Sequence, residues 1–263
     1  MKKYSVLSFN FGGYDLLREP EEVDPDCEYV YVTDDKNLVS KTWNVVHTDR
    51  FSGKSPVYAA FYVRWHPFEF VHTDTCIVLD SSIKILKSLR VLADDVKEHG
   101  DIGVILARSS GNKIFSNIGW WQRNRDLVEA EAEAAKSYAQ KNLKADRYRG
   151  YVEAILRVTF KTKECQEIDT QVWNDCLALG TNGNPIRLDE VPLSAILQTK
   201  FRNMRIAKYD RRLIQCQTLM QTYEHKSREM RIHARFVAVR HSYFCNHRVK
   251  VRVYDEGKFS SFD

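Results

Sequence analysis

Tyr4 to Phe11 is an apolar, β-rich run closed by Gly12-Gly13, and Glu28 to Thr33 is a second one closed by Asp34-Asp35. Runs of this length that end in turn residues predict buried strands. Trp43 to His47 predicts a third short strand, and a Gly/Ser/Pro loop over 52–56 leads into a helix from about Val57 to Phe70. Cys76 to Leu79 is the next strand and ends on Asp80; Ile83 to Leu86 continues extended. Ser88 to His99 reads as a helix stopped at Gly100, and Ile102 to Ala107 as another strand. Arg125 to Leu143 carries its acids early and its bases late, as a helix dipole favours, with 147–160 extending or following that helix. Gly180 to Gly183 is a turn, and Leu188 to Leu197 a short helix. Arg235 to Val239 and Val249 to Tyr254 alternate like the strands of a terminal hairpin. Strands alternating with helices predict an α/β fold, a mixed but mostly parallel sheet flanked by helices. The expected layout is one catalytic domain over 1–226 and a basic extension over 227–263.

Composition adds two constraints. The chain has 263 residues, 43% hydrophobic and 29% charged, enough for one large soluble domain. Its net charge of +5 is unevenly placed, since Lys200 to Tyr254 holds fourteen Lys/Arg against three Asp/Glu. Aromatic residues interspersed there, such as Phe236 and Tyr243, suit peripheral contact with an anionic membrane surface. Neither the charge excess nor an aromatic sheet motif of an RNA-binding module is visible, so nucleic acid is not an expected partner. Six scattered cysteines without zinc spacing, no secretory signal and no membrane-length apolar run predict a cytoplasmic protein, at the inner membrane surface if the basic region engages lipid.

The chemistry concentrates at strand ends. Asp80 closes a buried run where ligands collect in open α/β sheets, and a carboxylate there can hold a hard cation that grips a phosphate; a turn-starting Asp is the bland alternative. Trp120 and Trp121 follow the strand at Ile102, in a segment expected to loop over the site, and a Trp there either packs on a sugar or fills the core. Asp189-Glu190 opens a predicted helix, where it serves as a helix cap or as working carboxylates.

The segments Phe11-Gly12-Gly13-Tyr14-Asp15, Tyr29 to Asp35, Trp43 and Leu79 to Ile85 together resemble the successive motifs of a glycosyltransferase family with the A-type nucleotide-diphospho-sugar fold, related to the family 8 glycosyltransferases. The resemblance covers roughly the first ninety residues. It implies transfer of a hexosyl unit from a nucleotide-sugar donor, a UDP-sugar, to a carbohydrate or glycolipid acceptor, as in surface-polysaccharide synthesis. It further implies Mn²⁺ or Mg²⁺ held by Asp80, with Ser82 in place of the motif's second acid and His225 as a late ligand. Arg64, on the helix before that strand, and Lys54 would stabilise the diphosphate leaving group. Phe9, Asn10 and Tyr14 would face the nucleotide, and Asp34 would accept from base or ribose or cap its own turn. Asp189 and Glu190 stand where such enzymes place residues beside the sugar.

Two other classes fit parts of the chain. A nucleotidyltransferase would need a basic Gly-rich loop after the first strand, and Gly12-Gly13 has no nearby Lys. A non-catalytic glycan- or partner-binding protein on the same fold is compatible with Ser82.

Overall fold

The computed structural model describes residues 2–106, 114–124, 127–143, 152–210, 219–222, 252–255 and 258–261. Its element order is β1 (Tyr4–Asn10), β2 (Cys27–Thr33), β3 (Asn44–His47), α1 (Pro56–Trp65), β4 (Thr75–Leu79), β5 (Ile83–Ile85), α2 (Arg90–His99) and β6 (Ile102–Leu106). There follow α3 (Ile114–Asn124), α4 (Glu129–Asn142), β7 (Val152–Phe160), α5 (Lys163–Leu179), α6 (Glu190–Thr199), β8 (Ile206–Asp210), β9 (Met220–Thr222), β10 (Arg252–Asp255) and β11 (Lys258–Ser261).

Nine strands form one sheet in the order β11-β10-β8-β6-β7-β4-β1-β2-β3, while β5 and β9 pair in a separate ribbon. The run β4-β1-β2-β3 is parallel throughout. β7 enters antiparallel between β4 and β6, and β6 and β8 are parallel again. This is the mostly parallel mixed sheet that the strand-helix alternation predicts. β10 pairs with β8 and with β11, so residues 252–255 and 258–261 complete the same sheet.

The strands read as continuous apolar runs because both faces are covered. Along β1, Tyr4 and Val6 face a core shared with α2, whereas Leu7 and Phe9 face a core under α1. A further cluster joins Trp65 to α3, α4, α5 and α6.

Several boundaries differ from the sequence reading for identifiable reasons. The helix expected to Phe70 ends at Trp65, because Pro67 drives His66 out of the helical region (φ −130°, ψ 51°), and only a 3₁₀ turn over Pro67–Glu69 follows. The stretch expected to extend or follow the preceding helix holds the nine-residue strand β7, whose Val, Ile and Thr content suits a central position. Residues 115–121, expected to be a loop, lie within α3. α5 was not anticipated, although Thr162 caps it by accepting from the Cys165 amide at 3.3 Å. Its buried Cys165, Ile168, Asp169, Val172, Trp173 and Cys176 recur at helical spacing. Arg235 to Val239 falls outside the described residues.

The loop after β1 depends on glycine. Gly12 sits at φ +65°, and a Cβ there would approach the Pro56 Cγ to 2.7 Å; Gly13 at φ +63° faces open space. Gly12→Ala should therefore cost about 1–3 kcal/mol and Gly13→Ala less, read as the difference in their urea midpoints. Equal losses would mean that the Pro56 contact contributes nothing.

Candidate functional site

The chain leaves β1 on one side to form β2 and β3, then returns on the other side as β4. The crevice between the carboxyl ends of β1 and β4 is thus a topological switch point, where open α/β sheets bind ligands. Asn10 ends one strand and Asp80 follows the other.

At this crevice the sequence brings together residues 125 positions apart. Arg64, near the end of α1, reaches back toward the helix N-terminus, as helical side chains do. Its Nη2 donates to Asp80 Oδ1 at 2.8 Å and its Nη1 to Asp189 Oδ2 at 2.9 Å. Phe9 and Phe61 flank the guanidinium at 5.5 and 5.3 Å from their ring centroids. The same Asp189 oxygen accepts from Trp65 Nε1 at 3.0 Å. Asp189 does occupy the N-cap position of α6, but its side chain makes no capping hydrogen bond; the carboxylate is turned to Arg64 and Trp65 instead.

Burial and charge are opposed in this cluster. Burial works against the charge on Arg64, but Asp80 and Asp189 outweigh it and raise its pKa. Glu190, first residue of α6, is 5% exposed. Burial and then the neighbouring Asp189 carboxylate push its pKa well above the usual range. Two buried polar atoms here, Arg64 Nε and Glu190 Oε2, have no hydrogen-bond partner among the described residues. Asp80 is the accessible edge, with about a quarter of its side chain exposed (24%).

The loop after β1 is fastened to this cluster. Asn10 spends its amide on the Asp15 backbone, donating to the carbonyl at 2.8 Å and accepting from the N–H at 3.0 Å. The Asp15 carboxylate accepts from Ser81 Oγ at 2.5 Å, which ties the loop to the turn beginning at Asp80. Asp34 accepts from the Gly12 amide with both oxygens, at 3.1 and 3.0 Å, so it braces the same loop from β2. Tyr14 is carried outward, 56% exposed, as a rim residue.

The remaining expected residues are less convergent. Ser82 is buried in the turn after Asp80, Lys54 lies over the Tyr58 ring at 5.0 Å, and Trp120 is part of α3. His225 lies outside the described residues. Sequence reasoning missed Trp65, Arg157 and Asp169, although an Arg within an apolar β-branched run is itself a signal that a buried partner exists.

For a divalent cation the donor set is partial. Asp80 Oδ1 already accepts from Arg64, leaving Oδ2, and Ser82 offers a hydroxyl. One Arg64 against Asp80 and Asp189 leaves negative charge, which favours a cation that phosphate oxygens and water would complete. A cavity of about 390 Å³ lined by Lys97, Asp101, Phe160, Thr162, Glu164 and Arg205 opens beside the amino ends of β6 and β8, at the other end of the strands, and no predicted site residue lines it. No described helix is long and apolar enough to cross a membrane.

No protein-family model matches the chain, and no curated protein matches it.

Proposed function

We propose that the protein is a glycosyltransferase that moves a hexosyl unit from a nucleotide-sugar, a UDP-sugar, to a carbohydrate or glycolipid acceptor. The reading is carried by one observation: Asp80, at the carboxyl end of β4 beside the switch point, is joined through Arg64 to Asp189 at the start of α6. The motif resemblance of the first ninety residues, extended to an A-type glycosyltransferase core, supports it.

In this reading Asp80 and Ser82 hold Mn²⁺ or Mg²⁺, which supplies positive charge to the diphosphate leaving group. Arg64 adds a fixed positive charge beside that group and orients both carboxylates. Phe9 closes the crevice behind the guanidinium, and Tyr14 stands at its rim to stack on the base. Asn10 and Asp34 act by fixing the loop that carries Tyr14. Asp189 is committed as an anion to Arg64 and Trp65, which leaves Glu190 as the group free to exchange a proton near the acceptor. The basic region beyond residue 200 would hold the protein at an anionic membrane surface where glycolipid acceptors reside.

The test is a thermal-shift series with UDP, GDP, CDP and their sugars, each with Mn²⁺, Mg²⁺ or chelator, on the wild type and on Asp80→Ala. A metal-dependent rise in Tm with one nucleotide, lost in the variant, is the expected result. No shift with any nucleotide would move the assignment to a non-catalytic binding protein, and an equal shift in Asp80→Ala would remove Asp80 from the site.

A further inference from the structure

Arg157 touches none of the residues expected to meet substrate through their side chains, yet it is among the most buried large side chains of the molecule, 1% exposed in the middle of β7. A guanidinium is placed there only against compensation. Its Nη1 forms an ion pair with Asp169 of α5. Its Nη2 donates to the Arg64 carbonyl at 2.8 Å, satisfying one of the carbonyls left open in the last turn of α1. Its central carbon lies 4.4 Å from the centroid of the Trp65 ring, within range of a cation–π contact. Trp65 in turn donates to Asp189.

We infer that Arg157, set by Asp169, is a positioning residue for the cleft: it fixes the end of α1 and the Trp65 ring, and through them the Arg64 and Asp189 groups. The planar fork is what allows one side chain to serve Asp169, the Arg64 carbonyl and the Trp65 face together; a lysine cannot. The inference rests on the transferase reading for its effect on donor binding, but its effect on Trp65 does not.

The ion pair also has a titratable member. Burial pushes the Asp169 carboxyl up to about 6, against the pull of Arg157, and one of its oxygens, Oδ2, has no hydrogen-bond partner among the described residues. The groups facing this pair are the Cys76 thiol from β4, raised by burial, and His66 at the end of α1, lowered by burial and sensitive to Arg157. As pH falls through about 6, Asp169 takes up a proton and one arm of the Arg157 fork loses its anion. His66 is a second titratable group beside the pair, its pKa lowered by burial, so the experiment must remove Asp169 and keep His66.

The experiment follows the Trp65 indole N–H signal, assigned with Trp65→Phe, by NMR from pH 5 to 7.5 in the wild type, Asp169→Asn and Arg157→Lys, with nucleotide affinity measured over the same range. The wild-type signal is expected to move with a midpoint near 6, and nucleotide affinity to weaken roughly tenfold toward pH 5, the scale on which supporting partners act on a site. Asp169→Asn should flatten both profiles at the weaker level while His66 is intact, and Arg157→Lys should fail to restore them. A Trp65 signal whose position is the same in Asp169→Asn and Arg157→Lys as in the wild type, or that titrates unchanged in Asp169→Asn, overturns the inference. Failure of the wild type to bind any nucleotide sinks the transferase reading alone, because the indole titration still decides whether Arg157 positions Trp65.

Discussion

Replacing Arg64 by methionine is expected to destabilise the protein by about 3–5 kcal/mol, the usual consequence of removing one partner of a buried ion pair. The size follows from the asymmetry of the site. Asp189 is 1% exposed and, among the described residues, would keep the Trp65 side-chain hydrogen bond alone, while Glu190 beside it offers no positive charge. Asp80 is wetter and would recover part of its hydration. A drop in Tm on the order of 10 °C is therefore predicted at neutral pH, given about 2–4 °C per kcal/mol for a chain of this size. Arg64→Lys should recover only part of it, since one ammonium cannot hold two carboxylates in the geometry of the fork. Combining Arg64→Met with Asp189→Leu should restore stability relative to Arg64→Met alone, because the stranded charge is gone; a double-mutant cycle measures that coupling. A methionine variant melting within 2 °C or so of the wild type would mean that the two ion pairs carry little energy. Nucleotide binding separates the second role. Asp189→Asn keeps the shape of the site and should bind donor far better than Arg64→Met if Arg64 meets the diphosphate itself.

What the sequence revealed of this site depended on how local each signal is. Asp80 was legible because a carboxylate terminating an apolar strand is a pattern of a few adjacent residues, and the parallel sheet places that terminus at the crevice. Asp189 was legible as a helix-opening acid, but whether it caps the helix or serves the site is decided by Arg64 and Trp65, more than 120 positions earlier. Asn10 is expected toward the nucleotide and Asp34 toward the nucleotide or its own turn, whereas their polar atoms meet the backbone of the loop after β1, a contact set by the positive φ of Gly12 and Gly13. In the sequence the stretch that holds β7 either extends or follows a helix, because its charges, Glu153 and Arg157, break a simple apolar run. Those same residues are buried, and Arg157 is compensated by Asp169 on a helix that had no assignment. A buried ion pair looks like solvated surface in one dimension, so both its strand and its helix were harder to see.

Glu190 gives the sharpest test of the division of labour between the two adjacent carboxylates. Environments that drive neighbouring acids apart mark the proton-carrying one, and here Asp189 has a cation and an indole N–H while Glu190 has burial, a neighbouring anion and an unpartnered oxygen. Arg64 lowers the Glu190 pKa and Glu153 raises it further, without reversing the direction. Below about pH 4 the carboxyl is neutral in both folded and unfolded chains and adds nothing to the pH dependence. As pH rises above that, the unfolded chain ionises while the folded one keeps its proton, so this group's contribution to stability declines with pH until the folded pKa is reached. Glu190→Gln removes that loss. It should be close to neutral near pH 4 and stabilising at pH 8, because glutamine carries no carboxyl whose proton the fold must retain as the unfolded chain ionises. Urea midpoints of the two proteins across that range provide the measurement. If proton exchange at Glu190 is also what the reaction uses, the same variant should bind donor normally and lose roughly 10²–10⁴-fold in kcat. A destabilised Glu190→Gln at pH 8 would show that Glu190 is an ionised partner of Arg64, and the proton-carrying role would then pass from it.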